Sequence, residues 1–150
     1  MLNLSPNERV LNIAVLAFLH KVYFMINTIT LSVAVLMAVA IIVIGCFYIL
    51  SPERIMGGFG LKLPAPDADT RAWLRLKGIR DIGSGLVVLT LMRTTDSRTV
   101  GIALLVLSLV ALGDMSNVLW SGGSKSTAFS VHGMTGAVMI VVGLFLIHAL

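Results

Sequence analysis

The chain of 150 residues is 57% hydrophobic and only 12% charged, and its mean hydropathy is +0.99. Soluble domains usually carry about 25% charged residues, so this composition excludes an ordinary soluble domain. The net charge of +4 comes from basic residues scattered through loops without an aromatic-lined basic face, and we therefore expect no nucleic-acid partner. The single cysteine, Cys46, excludes an internal disulfide.

Four long apolar segments dominate the chain. A helix needs about 20 residues to cross the hydrocarbon core of a bilayer, and the alternation that marks transmembrane strands is absent. We therefore predict an all-α fold, an integral membrane four-helix bundle within a single domain of residues 25–150. The predicted spans are about 29–50, 73–92, 99–120 and 127–149.

The first 24 residues do not continue this pattern. Val10–Leu19 is a mostly apolar run with basic residues on both sides. At about ten residues it is too short to cross a bilayer, and no small-residue cleavage site follows it. Two interpretations of residues 1–24 stay open: an interfacial helix, or an over-extended reading frame whose working start is Met25.

Short polar segments connect the predicted spans. Ser51-Pro52-Glu53 predicts a short interfacial helix after the first span, because serine caps helices and proline is favoured at the first helical position. Asp67 or Asp69 is the expected cap of the second span, and Ser126 or Thr127 is that of the fourth.

Lysine and arginine are divided unequally between the two predicted sides of the membrane. One side carries Arg54, Lys62, Arg71, Arg75, Lys77 and Lys125, and the other carries Arg9, Lys21, Arg93 and Arg98. Because cytoplasmic loops are enriched in basic residues, we expect a multi-pass protein of the cell membrane with residues 51–72 in the cytoplasm.

The second predicted span is unusual because it carries charges. Only its second half, Ile82–Met92, is free of them. An apolar residue contributes about −0.3 to −0.6 kcal/mol to insertion and a central charge costs about 2.5–3.5 kcal/mol, so this half offsets about one charge. Arg80 and Asp81, about 10 Å inward from Trp73, must therefore pair or face a polar interior.

Polar residues of two other spans lie at the same depth. Asp114 and Asn117 are about 9 Å and 5 Å from Trp120, and His132 lies about five residues into the fourth span. All three helix ends face one side of the membrane, so we predict a polar pocket in that leaflet.

Helical spacing adds Lys77 and Ser84 to the face of Asp81. The candidate ligand-binding residues are Lys77, Arg80, Asp81, Ser84 and Asn117, and the candidate catalytic residues are Asp114 and His132. A simpler interpretation stays open for each of them: an ion pair that fixes helix register, a hydrogen bond between helices, or a neutral histidine that donates to a neighbour.

The chemistry that these residue types offer is anion recognition and acid–base catalysis, since arginine binds oxyanions and histidine titrates near neutral pH. No nucleophile elbow, phosphate-binding loop or metal-ligand spacing occurs in the sequence, so we expect no metal and no cofactor.

Three motifs, Lys77-Gly78-Ile79-Arg80-Asp81, Gly113-Asp114 and His132-Gly133, resemble a family of small four-span bacterial and fungal membrane proteins that carry a domain of unknown function. The resemblance covers about four-fifths of the chain, from Ile29 to the end, and leaves out residues 1–24. In span layout the chain is also similar, more weakly, to small DoxX-like membrane proteins. The resemblance implies the polar cluster and carries no settled activity.

These observations favour a small binding or accessory protein for an amphiphilic or anionic small molecule, with Arg80 holding the anionic end. A membrane-embedded isomerase or hydrolase that uses Asp114 and His132 as acid and base is the alternative, and whether the protein is an enzyme stays open. A proton-coupled transporter, which at this size needs a homodimer, and a purely structural membrane subunit are further options. The expected partners are the lipid bilayer, an amphiphilic ligand and, for transport, a second copy.

Overall fold

The computed structural model describes residues 6–65 and 67–148, and that part of the chain contains helices but no strand. In chain order the elements are α1 (Pro6–Leu50), α2 (Pro52–Ile55), a 3₁₀ turn (Met56–Phe59), α3 (Ala68–Thr94), α4 (Ser97–Trp120), α5 (Lys125–Thr127), a π-helical segment (Ala128–Gly133) and α6 (Met134–His148). The last three follow one another without a break and form one helical stretch. The predicted all-α membrane bundle is confirmed.

Three of the helical stretches are long and apolar enough to cross a membrane: α1, α4 and the stretch Lys125–His148. The protein is therefore a multi-pass membrane protein. The predicted span 73–92 lies inside α3, which carries several charges along its first half. That α3 also crosses the membrane stays a prediction.

The first helix is far longer than a membrane crossing requires. Its 45 residues extend over about 67 Å, against a hydrocarbon core of about 30 Å. Residues 6–24 continue directly into the predicted span 29–50, and the side chains from Glu8 to Lys21 are exposed. An interfacial position for residues 1–24 stays a prediction, and residues 1–5, Pro66 and the predicted span end at 149 lie outside the described part of the chain.

The helix caps agree with the sequence at one of three positions. Asp67 caps α3, because its carboxylate accepts a hydrogen bond of 2.7 Å from the backbone N–H of Thr70. Ser51 makes no capping hydrogen bond through its side chain, although α2 begins directly after it. The helical stretch that ends the chain starts earlier than predicted, and Ser124 caps it by accepting from the backbone N–H of Thr127 at 3.2 Å.

The long helices form two closely packed pairs, α1 with α3 and α4 with the stretch that contains α6, and the contacts between the pairs are fewer. Glycines allow the backbones within each pair to touch. A Cβ on Gly78 would lie 2.6 Å from the carbonyl oxygen of Gly45, and one on Gly101 would lie 2.6 Å from that of Gly143. Small residues at such positions let helix backbones approach in membranes, where apolar side chains gain little from leaving lipid.

One apolar core joins the two pairs. Its buried members come from all four long helices and include Ala34, Ala38, Val88, Val100, Leu104, Val142 and Leu146. The chain order places the end of α1, the start of α3, the end of α4 and α5 at the same end of the bundle. We call this the loop end, because the segments 51–65 and 121–124 lie there.

Candidate functional site

Two connecting segments meet at the loop end and cover the helices below them. The backbone N–H of Ser124 donates to the carbonyl oxygen of Gly60 at 2.8 Å. Gly60 has a φ of +93°, which glycine adopts without strain, and a Cβ there would lie 2.8 Å from the side chain of Thr127. The 3₁₀ turn is therefore held against the start of the last helical stretch.

His132 is the buried polar residue beneath this turn. Only 8% of its surface is exposed, and its Nε2 lies 3.0 Å from the carbonyl oxygen of Phe59. Since a carbonyl can only accept, Nε2 carries the hydrogen and donates it. The rings of Phe59 and His132 also pack with their centroids 4.7 Å apart. His132 lies in the π-helical segment, a local widening of a helix that is frequent at functional sites.

Lys77 and Asp81 form an ion pair beside His132. Lys77 Nζ lies 2.7 Å from Asp81 Oδ2, one helical turn along α3, and the two side chains are only 20% and 13% exposed. The ammonium group of Lys77 also lies 5.0 Å from the ring centre of Tyr48 and 5.2 Å from that of Phe59. Cation–π attraction therefore adds to the ion pair in holding Lys77 in place.

Asp114 approaches this group from α4. Its side chain is half-buried, and within the described residues it makes no hydrogen bond and no ion pair. Lys77, Asp81 and His132 line the same cavity as Asp114. Asp114 thus shares an electrostatic environment with the other polar groups without a direct partner among them.

A cavity of about 160 Å³ lies between the two helix pairs, and all four long helices contribute to it. Its polar residues are Lys77, Asp81, Ser84, Asp114, His132 and Thr135. The remaining wall is apolar and includes Met37, Ala38, Ile41, Leu104, Leu107 and Met139. The cavity therefore has a polar end near the loop end of the bundle and an apolar body that extends towards the core.

The cavity is partly open at the side of the bundle. Val110 lines it and is at the same time 58% exposed on the surface of α4. Val110 precedes Asp114 by one helical turn, so this opening lies beside the polar end.

The structure brings together five of the seven predicted site residues. Lys77, Asp81, Ser84, Asp114 and His132 all line the cavity. Arg80 and Asn117 do not, and both are exposed. Arg80 lies on another face of α3, because Gly78 and Gly85 turn towards α1 and so fix which side of α3 faces the cavity.

Sequence reasoning missed the two aromatic residues, Tyr48 and Phe59, that surround Lys77. The available signal for Phe59 was its position between glycines, Gly57-Gly58-Phe59-Gly60, where a large side chain is held on a tight turn. Tyr48 is only 3% exposed and lies at the end of α1. A tyrosine at the end of a span is also typical of the membrane interface, so the sequence did not distinguish the two positions.

The polar end of the cavity offers a candidate acid–base pair, Asp114 and His132, and hydrogen-bond acceptors beside the apolar body. A neutral imidazole that donates through Nε2 keeps its other ring nitrogen as a proton acceptor. Among the described residues, no group of three histidine, cysteine, aspartate or glutamate side chains lies close enough to hold a metal ion.

Comparison with known proteins identifies a family. The family model described as Domain of unknown function (DUF4267) matches residues 38–146, which include every residue of the cavity except Met37. No curated protein and no solved structure matches the chain significantly. The layout similarity to DoxX-like proteins stays a prediction. Since the match covers most of the chain, the protein belongs to the family defined by this domain of unknown function, DUF4267.

Proposed function

We propose that this protein binds a small amphiphilic molecule inside its helical bundle. The observation that carries the proposal is the cavity, because its apolar body and its polar end would accept the two parts of such a molecule. An engineered apolar cavity of about 150 Å³ accepts benzene, so the space here suits a ring or a short alkyl chain with one polar group. The opening beside Val110 would admit the ligand from the side of the bundle.

The proposal includes an arrangement in the membrane. Four spans, with α3 as the second, would place the loop end, including residues 51–72, on the cytoplasmic side of the cell membrane. Lys62 precedes α3 and Arg98 lies at the start of α4, so these two exposed residues flank α3 on opposite sides. A thiol reagent that cannot cross membranes should label Lys62→Cys only in permeabilised cells and Arg98→Cys in intact cells, with Cys46→Ser as background. Labelling of both from the same side would contradict the crossing by α3.

Filling the cavity tests the binding function. Ala111 lines the cavity, whereas Ala40 is exposed on α1 away from it. In lipid nanodiscs, we expect saturable binding of 2-phenylethanol that Ala111→Leu weakens by about tenfold or more, since the added methyl groups occupy the ligand's volume. Ala40→Leu is the matched control and should leave the affinity within about threefold. Binding that does not exceed that of empty nanodiscs would contradict the proposal.

A membrane-embedded isomerase or hydrolase is the second candidate. The observation that favours it is that Asp114 and His132 line the same cavity, where one could accept a proton and the other donate one. A molecule that co-purifies with the protein, identified by mass spectrometry, should then change chemically on incubation with fresh wild-type protein. Asp114→Asn and His132→Gln should each abolish that change without unfolding the bundle. If the molecule stays chemically unchanged, catalysis is contradicted and binding is the function that remains.

A further inference from the structure

We infer that the ligand of this cavity carries a cationic polar end, a protonated amine, with Asp114 as its counter-ion. The inference rests on the proposed binding function and names the chemical class of the ligand. The cationic ligand is inferred from two observations: the charges around the polar end of the cavity, and the partners that some of those charges already have within the protein.

The one cationic side chain on the cavity wall is already engaged by the protein, within the part of the chain that the structure describes. Lys77 pairs with Asp81 at 2.7 Å, and its ammonium group lies near the rings of Tyr48 and Phe59. An anionic ligand would have to compete with Asp81 for this ammonium group. Lys77 is therefore a poor anchor for a carboxylate or phosphate.

Asp114 is the group that remains. With both carboxyl groups ionised and the imidazole of His132 neutral, the wall holds one positive charge, on Lys77, and two negative charges, on Asp81 and Asp114. One negative charge is therefore in excess, and within the described residues the carboxylate of Asp114 has neither a hydrogen bond nor an ion pair. A charge in such a partly buried position is costly unless a partner of opposite sign compensates it, and a ligand cation would do so.

Arg80 does not supply that compensation. Its side chain is exposed and lies off the cavity wall. The hydroxyl groups of Ser84 and Thr135 line the polar end as well. Hydroxyl oxygens accept hydrogen bonds, so they complement the donors of an ammonium group.

Three probes of matched size separate head-group charge from hydrophobic fit. They are 2-phenylethylamine, 2-phenylethanol and 3-phenylpropanoate, which carry a cation, a neutral hydroxyl and an anion beside the same ring at neutral pH. With the full chain in nanodiscs and empty nanodiscs as reference, we expect the amine to bind wild type about tenfold more tightly than the alcohol. The anion should not displace the amine.

Substitution of Asp114 assigns the preference to its charge. Asp114→Asn should weaken amine binding by about tenfold and leave alcohol binding within about threefold, whereas Asp114→Glu should keep the amine preference. Asp69→Asn removes an exposed carboxylate from the first turn of α3 and serves as the charge-matched control. The comparison of the three probes on wild type needs no variant, so it decides whether the ligand is cationic even where Asp114→Asn does not fold.

The outcomes distinguish the two proposals. Equal affinities of wild type for the amine and the alcohol, or an amine preference that persists in a folded Asp114→Asn variant, would overturn the cationic ligand and leave amphiphile binding intact. Tighter binding of the anion would overturn it as well. Failure of all three probes to bind would remove the binding function itself.

Discussion

His132 Nε2 lies 3.0 Å from the carbonyl oxygen of Phe59, a residue 73 positions earlier in the chain. This hydrogen bond joins the start of the last helical stretch to the 3₁₀ turn that covers the polar end of the cavity. Because the carbonyl accepts, the bond fixes which ring nitrogen of His132 carries the hydrogen, and so leaves the other nitrogen for proton exchange. His132 is therefore both a structural tie and a candidate for chemistry.

Loss of this bond should destabilise the bundle. His132→Leu removes the donor and leaves the carbonyl group of Phe59 without it, which typically costs about 1–3 kcal/mol. His132→Gln keeps an N–H donor and should recover part of that loss. The measurement is equilibrium unfolding in detergent, with His148→Leu at the exposed end of α6 as control. Equal stability of wild type and His132→Leu would show that the bond contributes nothing.

Close backbone contact between α1 and α3 predicts different effects for two glycines of the same helix. A Cβ on Gly78 would lie 2.6 Å from the carbonyl oxygen of Gly45, whereas one on Gly83 would meet no atom within 4 Å. Gly78→Ala should therefore destabilise the protein by about 1–3 kcal/mol, as overpacking does. Gly83→Ala should be neutral or slightly stabilising, because alanine favours the helix. Thermal unfolding of the two variants decides, and equal melting temperatures would contradict the close packing.

The ion pair between Lys77 and Asp81 predicts energetic coupling. Each single substitution, Lys77→Met or Asp81→Asn, leaves the other partner half-buried beside the cavity without its counter-charge. The double variant removes both groups and should be more stable than the sum of the single losses allows, with a coupling energy of roughly 0.5–3 kcal/mol. A double-mutant cycle of unfolding free energies measures this. Simple additivity would mean that the 2.7 Å contact carries no net energy.

Two capping aspartates outside the spans predict a loss of stability in acid. The backbone N–H of Thr70 holds the pKa of Asp67 below its ordinary value, and that of Thr99 does the same for the pKa of Asp96. A lowered folded-state pKa means that the stabilisation is complete above the unfolded value of about 3.9 and is lost as the pH falls through the folded value.

Replacing both aspartates by asparagine tests this sign, because asparagine caps a helix without titrating. The melting temperature of wild type should fall faster below about pH 4 than that of Asp67→Asn/Asp96→Asn, measured in the same detergent. Asp69 lies in the first turn of α3 and makes no capping hydrogen bond among those of the described residues. The control variant Asp69→Asn should therefore keep the wild-type dependence of melting temperature on pH. A steeper acid loss in the double variant would contradict the assignment.

The fold was predictable because long apolar runs with few breaks have one physical solution in a bilayer, where every backbone group must be bonded within the helix. The common face of Lys77 and Asp81 followed from their spacing of one helical turn. Their ion pair is a finding of the structure. The exposed position of Arg80 did not follow, because the face of α3 that looks inward is set by contact of Gly78 with Gly45 on a distant part of the chain. The cap at Ser124 likewise depends on where the loop end closes against Gly60.

The glycine contacts within each helix pair have a mechanical consequence. Where backbones touch, two helices can neither rotate nor separate without losing many contacts at once, so each pair behaves as a stiff plate. The seam between the plates has fewer contacts and contains the cavity. Thermal motion of the helices should therefore concentrate at that seam. Exchange of a ligand in the cavity would need only a small change in the angle between the two otherwise rigid helix pairs.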